Sequence, residues 1–354
     1  MAVVPTPPAK LRAAILAWYD QNARTLPWRI GPAARAGGHR PDPYRVWLSE
    51  IMLQQTTVPH ATPYFLAFTR RWPTVEALAA APEGEVMAAW AGLGYYARAR
   101  NLIACARHVS RELGGVFPAT EEGLRSLPGV GPYTAAAIAA IAFDLPANVV
   151  DGNVERVIAR VCAVETALPA AKSELSALAA AFVGDDRPGD WAQALMDLGA
   201  SVCAPAAPLC GRCPAAFACR ARAGGAPESY PRRQPRVDRP RRHGVAYVLT
   251  RGDLVGLVRR PARGLLGGML ALPTSDWRAE PWPDAGALDA APACADWRFA
   301  GDVDHVFTHF ALTLRVFRAE GDFPGAIWTP RAGLAAMPSV FLKAARAALP
   351  ARGS

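Results

Sequence analysis

The stretch Leu127-Pro128-Gly129-Val130-Gly131-Pro132-Tyr133-Thr134-Ala135 constrains this chain more than any other. Pro128 ends an incoming helix, and Gly129 and Gly131 permit backbone angles that residues with a Cβ resist. Thr134 and the alanine-rich run 135–142 then restart a helix. Successive N–H groups at such a start point outward and can hold a phosphate. The pattern reads as a helix-hairpin-helix, which suits DNA gripped by its backbone without base readout. A short way on, Val150-Asp151-Gly152-Asn153-Val154 sets Asp151 at the head of a further helix, expected over 153–161. On their own, these residues fit an ordinary glycine turn and an Asp cap equally well. The rest of the chain has to decide.

At 354 residues the chain is long enough for two domains, each with its own core. A net charge of +9 favours a polyanionic partner. No apolar run reaches 18 residues, and the proline-rich start (residues 1–10) lacks the apolar core of a signal peptide. The expectation is an intracellular protein, cytoplasmic and nucleoid-associated if bacterial, that meets nucleic acid rather than membrane. Seven cysteines, four of them at 203, 210, 213 and 219, argue against a disulfide framework.

In chain order, residues 11–22 pattern as an amphipathic helix and 30–40 as a flexible loop of Gly, Ala, Arg and Pro. Asp42-Pro43 starts a helix that carries Ser49-Glu50-Ile51-Met52-Leu53-Gln54-Gln55-Thr56. Glu50 lies among apolar residues there. Burial would raise its pKa and make it a general acid near neutral pH; the plain alternative is a Glu on a wet helix face. Thr74 caps a helix at 75–80. Gly92-Leu93-Gly94-Tyr95-Tyr96-Ala97-Arg98 suits a surface where backbone nears nucleic acid and an aromatic enters between bases, or simply a turn with packed tyrosines. Helices are expected at 101–113, 121–127 and 191–202.

The four cysteines that follow, with a single Cys-x-x-Cys pair, are spaced as metal ligands. Zinc and an iron–sulfur cluster both accept four thiolates, and compact ligation from one loop suits a cubane better. Cys105, Cys162 and Cys294 are expected as packed thiols. Almost no strand is expected before residue 225, so residues 1–225 form an all-α domain. Residues 226–243, rich in Arg and Pro, form a linker. Residues 244–350 form a small α+β domain, with a hairpin at 245–250 and 254–260, a half-buried strand over 306–317 and a closing helix at 339–348.

Taken together, Leu26-Pro27-Trp28-Arg29, Ser49 to Thr56, Gly92 to Arg98, the hairpin, Asp151-Gly152-Asn153-Val154 and the cysteine spacing resemble the adenine DNA glycosylases of the MutY type, within the endonuclease III superfamily. The resemblance covers nearly the whole chain. It implies a two-lobed helix-hairpin-helix domain with a [4Fe–4S] cluster on Cys203, Cys210, Cys213 and Cys219. It also implies excision of adenine opposite 8-oxoguanine or guanine from duplex DNA, and the expected form is a monomer. Glu50 is similar to the acid that protonates the flipped adenine, and Asp151 to the carboxylate that stabilises the cationic sugar. Tyr133 and Asn153 match the partners that position them.

Arg24, Leu26, Trp28, Arg29, Val58 and Met196 match the walls of the adenine pocket. Gln55 and Tyr95 match residues inserted into the duplex near the oxidised guanine, Gln54 and Thr56 match DNA-binding positions, and Gly129, Val130 and Gly131 the backbone grip. Bifunctional endonuclease III-type relatives carry a lysine where Tyr133 stands, so base removal by water with little strand cleavage is implied. The last domain resembles the family's Nudix-like recognition domain without the glutamate-rich hydrolase signature, and Phe307, Thr308 and His309 match the loop that senses 8-oxoguanine. For 307–310, packing within a strand is the competing reading. The Gly267-Gly268-Met269-Leu270-Ala271-Leu272-Pro273 segment and the long 30–40 loop depart from the family pattern.

Overall fold

A computed structural model describes residues 8–234, 238–261, 264–307 and 309–349. The chain divides into two compact units, Met1–Pro235 and Arg236–Ser354. Among the described residues no helix is long and apolar enough to cross a membrane.

The first unit is helical: α1 (Pro8–Asn22), α2 (Pro32–Ala36), α3 (Pro43–Leu53), α4 (Val58–Arg71), α5 (Val75–Ala80), α6 (Glu83–Ala89), α7 (Tyr96–Glu112), α8 (Glu121–Arg125), α9 (Pro132–Phe143), α10 (Gly152–Cys162), α11 (Lys172–Ala180), α12 (Pro188–Ser201) and α13 (Arg220–Ala223). Local signals set the ends. Asp42 accepts the Tyr44 N–H at 2.9 Å ahead of α3, and Thr74 accepts that of Ala77 at 3.2 Å ahead of α5.

Two cores result. One gathers α3 to α9 around Trp47, Phe65, Phe68 and Trp90. The other gathers α1 and α10 to α12 with the cysteine loop, around Tyr19, Ile158 and Phe182. Each such side chain contributes about 1.5–3 kcal/mol by leaving water. The α9 run from Thr134 to Ala142 is buried on every side, as a helix that is apolar all round must be. Its alanines let α3 and α12 pack closely on either side of it. Met196 touches both cores, so the seam between the lobes passes beside it.

Residues 30–40 are not a flexible loop. They contain α2, and Arg35 on it is buried. Its guanidinium donates to the Ile141 carbonyl at 2.9 Å and to Asp144 at 2.7 Å, and pairs with Asp190 at 3.1 Å. Composition could not reveal this, because the partners lie more than a hundred residues away. The 226–243 segment contributes to both units: Tyr230 is buried against the second core, and the first strand begins at Arg241.

The second unit holds β1 (Arg241–Arg251), β2 (Leu254–Arg259), β3 (Leu270–Ala271), β4 (Arg298–Val306), β5 (Ala311–Glu320) and β6 (Ile327–Pro330), with α14 (Asp284–Asp289) and α15 (Ser339–Ala348). The strand order is β3-β2-β1-β5-β4, with β6 also paired to β2. β1 and β5 run parallel and the other pairs antiparallel, and α15 packs its apolar face on the sheet through Val340, Phe341 and Ala344. The alternation over 306–317, expected as one strand, is broken: β4 ends at Val306 and β5 starts at Ala311. The Phe307 N–H closes the turn between them on the Phe310 carbonyl at 2.8 Å. Both strands share the period of two, so periodicity alone could not show the reversal. Cys105 and Cys162 are packed as expected, whereas Cys294 is exposed.

Candidate active site

Glu50 occupies the interior of α3 and is buried. Its carboxyl is pushed up to about 7 from the usual 4.5. Burial is the main cause, an opposing hydrogen bond from Tyr133 lowers it, and the Asp151 carboxylate raises it further; Arg29 lowers it slightly. Tyr133, in the first turn of α9, is itself held well above 10, first by burial and then by both carboxylates, so it stays a neutral donor.

Asp151 has a different setting. It caps α10, with one oxygen accepting the N–H groups of Asn153 at 2.9 Å and Val154 at 2.7 Å and the other accepting the Asn153 side chain at 2.8 Å. Asn153 in turn accepts from Arg156 at 2.9 Å, and Arg156 donates to the carbonyls of Gly199 (2.6 Å) and Cys203 (2.8 Å). The four residues expected to be catalytic therefore form one connected set: Glu50 with Tyr133 and Asp151, and Asp151 with Asn153.

Arg24, Leu26, Trp28, Arg29, Val58 and Met196 line a single cavity, and Glu50 is in its wall. Asp151 does not line this cavity, although its charge acts on Glu50. The sequence reading missed Gln193, which also lines it, and Asp197, whose carboxylate binds both Arg24 and Arg29. A step of three positions back from Met196 was the available signal for Gln193; Asp197, one position on, carried none.

At the hairpin, Gly129 has φ +74°, and a Cβ there would meet Asn101 at 2.5 Å, so glycine is required. Val130 donates its N–H back to Leu127 at 3.1 Å, and Gly131 heads α9. Gln55 and Tyr95 both adopt the left-handed region (φ 57° and 48°), a strained state for residues with side chains. Tyr95 is 58% exposed. Arg98 ties the two turns together, donating to the carbonyls of Ile51 (2.9 Å), Gln54 (2.5 Å) and Leu93 (3.0 Å). Gln54 reaches Thr134 at 3.3 Å, and Thr56 closes its turn on Leu53.

Cys203, Cys210, Cys213 and Cys219 line one cavity beside Arg160 and Arg222. Arg160, itself buried, donates to the Cys203 sulfur at 3.2 Å and to the Ala204 carbonyl at 2.7 Å.

In the second unit Phe307 stacks on Trp277 (5.7 Å between centroids, 28° between planes) and meets His305 edge-on at 4.6 Å. His309 is exposed, and Thr308 lies outside the described residues.

A buried carboxyl in a cavity wall, a second carboxylate held by backbone donors and a glycine hairpin between two helices accord with a helix-hairpin-helix base-excision protein, followed by a Nudix-like second unit. Residues 48–181 match the HhH-GPD superfamily of base excision DNA repair proteins, and residues 244–347 match the NUDIX domain. The chain is 37% identical over 380 residues to the adenine DNA glycosylase of Homo sapiens, covering 90% of this chain and 69% of that protein. It is 36% identical over 292 residues to that of Mycolicibacterium smegmatis, covering 81% and 94%. A solved thermostable thymine-DNA glycosylase superposes with a TM-score of 0.53 at 31% identity, over 60% of this chain and 95% of that one. This chain belongs to the adenine DNA glycosylase family.

Proposed function

We propose that this chain is a monofunctional glycosylase that hydrolyses the N-glycosidic bond of adenine opposite 8-oxoguanine or guanine in duplex DNA. The observation that carries the reading is Glu50: a carboxyl near 7, in the wall of an apolar cavity, with a second carboxylate acting on it. The base must leave the stack to enter such a cavity. Glu50, with its value raised to about 7, keeps a substantial protonated fraction near neutral pH; that form gives its proton to the purine ring, and adenine then leaves as a neutral base. The bond breaks through a cationic sugar. Asp151, whose charge is held by three donors, stabilises that cation before water adds. Tyr133 keeps Glu50 oriented, and Asn153 does the same for Asp151. With tyrosine at position 133, no amine stands there to form a Schiff base, which favours base removal without strand cleavage.

Gln54, Gln55, Thr56 and Tyr95 act at the opened duplex, and Gly129, Val130 and Gly131 hold the backbone. Phe307, Thr308 and His309 sense the oxidised guanine. The cysteines hold a [4Fe–4S] cluster. Among the described residues no three His, Cys, Asp or Glu side chains gather as for one metal ion. Four thiols around one cavity instead suit a ligand with several metal corners. When bound, the cluster would fix the loop whose Cys203 carbonyl accepts from Arg156, and no step of the reaction runs through it. The expected setting is an intracellular monomer on duplex DNA.

The test is base release from duplexes holding A opposite 8-oxoguanine, A opposite G, T opposite G or an oxidised pyrimidine, with and without alkali. Release from the first two, with strand breaks only after alkali, supports the reading. Preference for T opposite G would overturn the base assignment in favour of thymine, the base named for the similar solved thymine-DNA glycosylase.

A further inference from the structure

Asp197 follows Met196 on α12 but does not line the cavity; it stands behind the wall, with its side chain fully buried. One oxygen accepts Arg24 Nε at 2.5 Å. The other accepts Arg29 Nη1 at 2.5 Å and the Arg24 backbone N–H at 2.9 Å. Arg29 Nη1 also reaches the Arg24 carbonyl at 3.3 Å, which links the two arginines directly. Both arginines line the cavity that contains Glu50. The Arg29 side chain is only 5% exposed, and its Nε is buried with no hydrogen-bond partner among the described residues. A buried donor without a partner is costly, so a group that occupies the cavity and accepts that bond gains from it.

We infer that Asp197, which touches no substrate, is the positioning residue of the base pocket: its carboxylate fixes Arg24 and Arg29 in one geometry and neutralises half of their charge. The inference rests on the reading of the cavity as the site that receives the base. The physical case has two parts. Arginine side chains have many rotamers, and a bidentate carboxylate removes that freedom before the base arrives. Without its carboxylate partner, the buried Arg29 cation would also favour the ionised form of Glu50, which cannot donate a proton. The charged and titratable groups that act on Glu50 are Tyr133 of α9, Asp151 ahead of α10 and Arg29 of the 26–29 turn; Arg24 shares its cavity, and Arg98 of α7 donates to the neighbouring Ile51 carbonyl. Arg29 is therefore the route by which Asp197 is felt at Glu50. Behind the carboxylate, Tyr19 of α1 responds to both Arg29 and Asp197.

The experiment uses the full chain with Asp197→Asn, and measures single-turnover base release against pH and DNA concentration. Loss of fixed geometry should raise KM and lower kcat by about 10- to 100-fold. The alkaline limit of activity should move down by about one pH unit, because Arg29 then favours ionised Glu50. Binding of a duplex with an abasic-site analogue, which puts no base in the pocket, should be unchanged. Asp197→Glu keeps the charge and should lose rate without moving the pH limit. Wild-type KM, kcat and pH limit in Asp197→Asn would overturn the inference. So would a loss of rate with the limit unmoved and analogue binding equally weakened, which marks a merely structural role.

If Asp197→Asn does not fold, the Arg29→Gln Asp197→Asn double variant removes the stranded cation and should recover the fold; failure to recover it also overturns the inference. A fault in the pocket reading itself would show separately, as wild-type protein that releases no base from any duplex.

Discussion

Glu50 and Asp151 are the two carboxylic acids proposed to act in one reaction, and their surroundings differ in kind. Glu50 sits inside a helix among apolar side chains, and burial outweighs the hydrogen bond it receives, so its carboxyl rises to about 7. Asp151 stands ahead of a helix, where backbone and amide donors face its oxygens and the helix terminus favours negative charge. The first environment keeps a proton available on Glu50, and the second holds the Asp151 oxygens in a fixed geometry.

The sharpest way to break that contrast is Glu50→Gln. It removes the proton donor and should lower single-turnover excision by about 10²–10⁴-fold while leaving DNA binding intact. The same change should stabilise the protein in alkali. The folded-state value of Glu50 lies above its unfolded value, so its contribution to stability is fully present below pH 4.5 and is lost as pH rises through about 7. At pH 8 the variant should therefore gain up to about 3 kcal/mol relative to wild type, read as a higher Tm, with much less gain at pH 5.

A smaller effect tests the other half. Asp151→Asn retains a capping oxygen and should leave Tm nearly unchanged, yet slow excision by about a hundredfold or more through loss of the charge. Asp151→Ala should slow excision as well and also cost about 0.5–2 kcal/mol in thermal or urea unfolding. Equal loss of stability in both variants would mean that Asp151 serves the helix only. The smallest effect is expected from Tyr133→Phe. Its hydroxyl lowers the Glu50 value, so its removal should move the alkaline limit of activity upward, opposite in direction to the change expected for Asp197→Asn.

Much of this site is legible before any coordinates are known, because its residues sit in short local strings. Leu26 to Arg29, Glu50 to Thr56, the hairpin and Asp151 to Asn153 each carry their own turn or helix start. What escapes is what depends on distant pairing. Arg35 looks like part of a loose loop because nothing nearby shows Asp144 and Asp190 waiting for it. Asp197 looks like one more helical acid because its two arginines lie at the far end of the unit's chain. The reversal at 307–310 hides inside a continuous alternation, since both strands it joins keep the same period.

The account turns on the protonation of one side chain, and that can be watched directly. Infrared difference spectra of wild type minus Glu50→Gln, followed from pH 4 to 9, isolate the Glu50 carboxyl band. A protonated-carboxyl band that disappears with a midpoint near 7 is the expected result. A midpoint near the ordinary 4.5 would contradict the account, because Glu50 would then be ionised where the enzyme needs an acid.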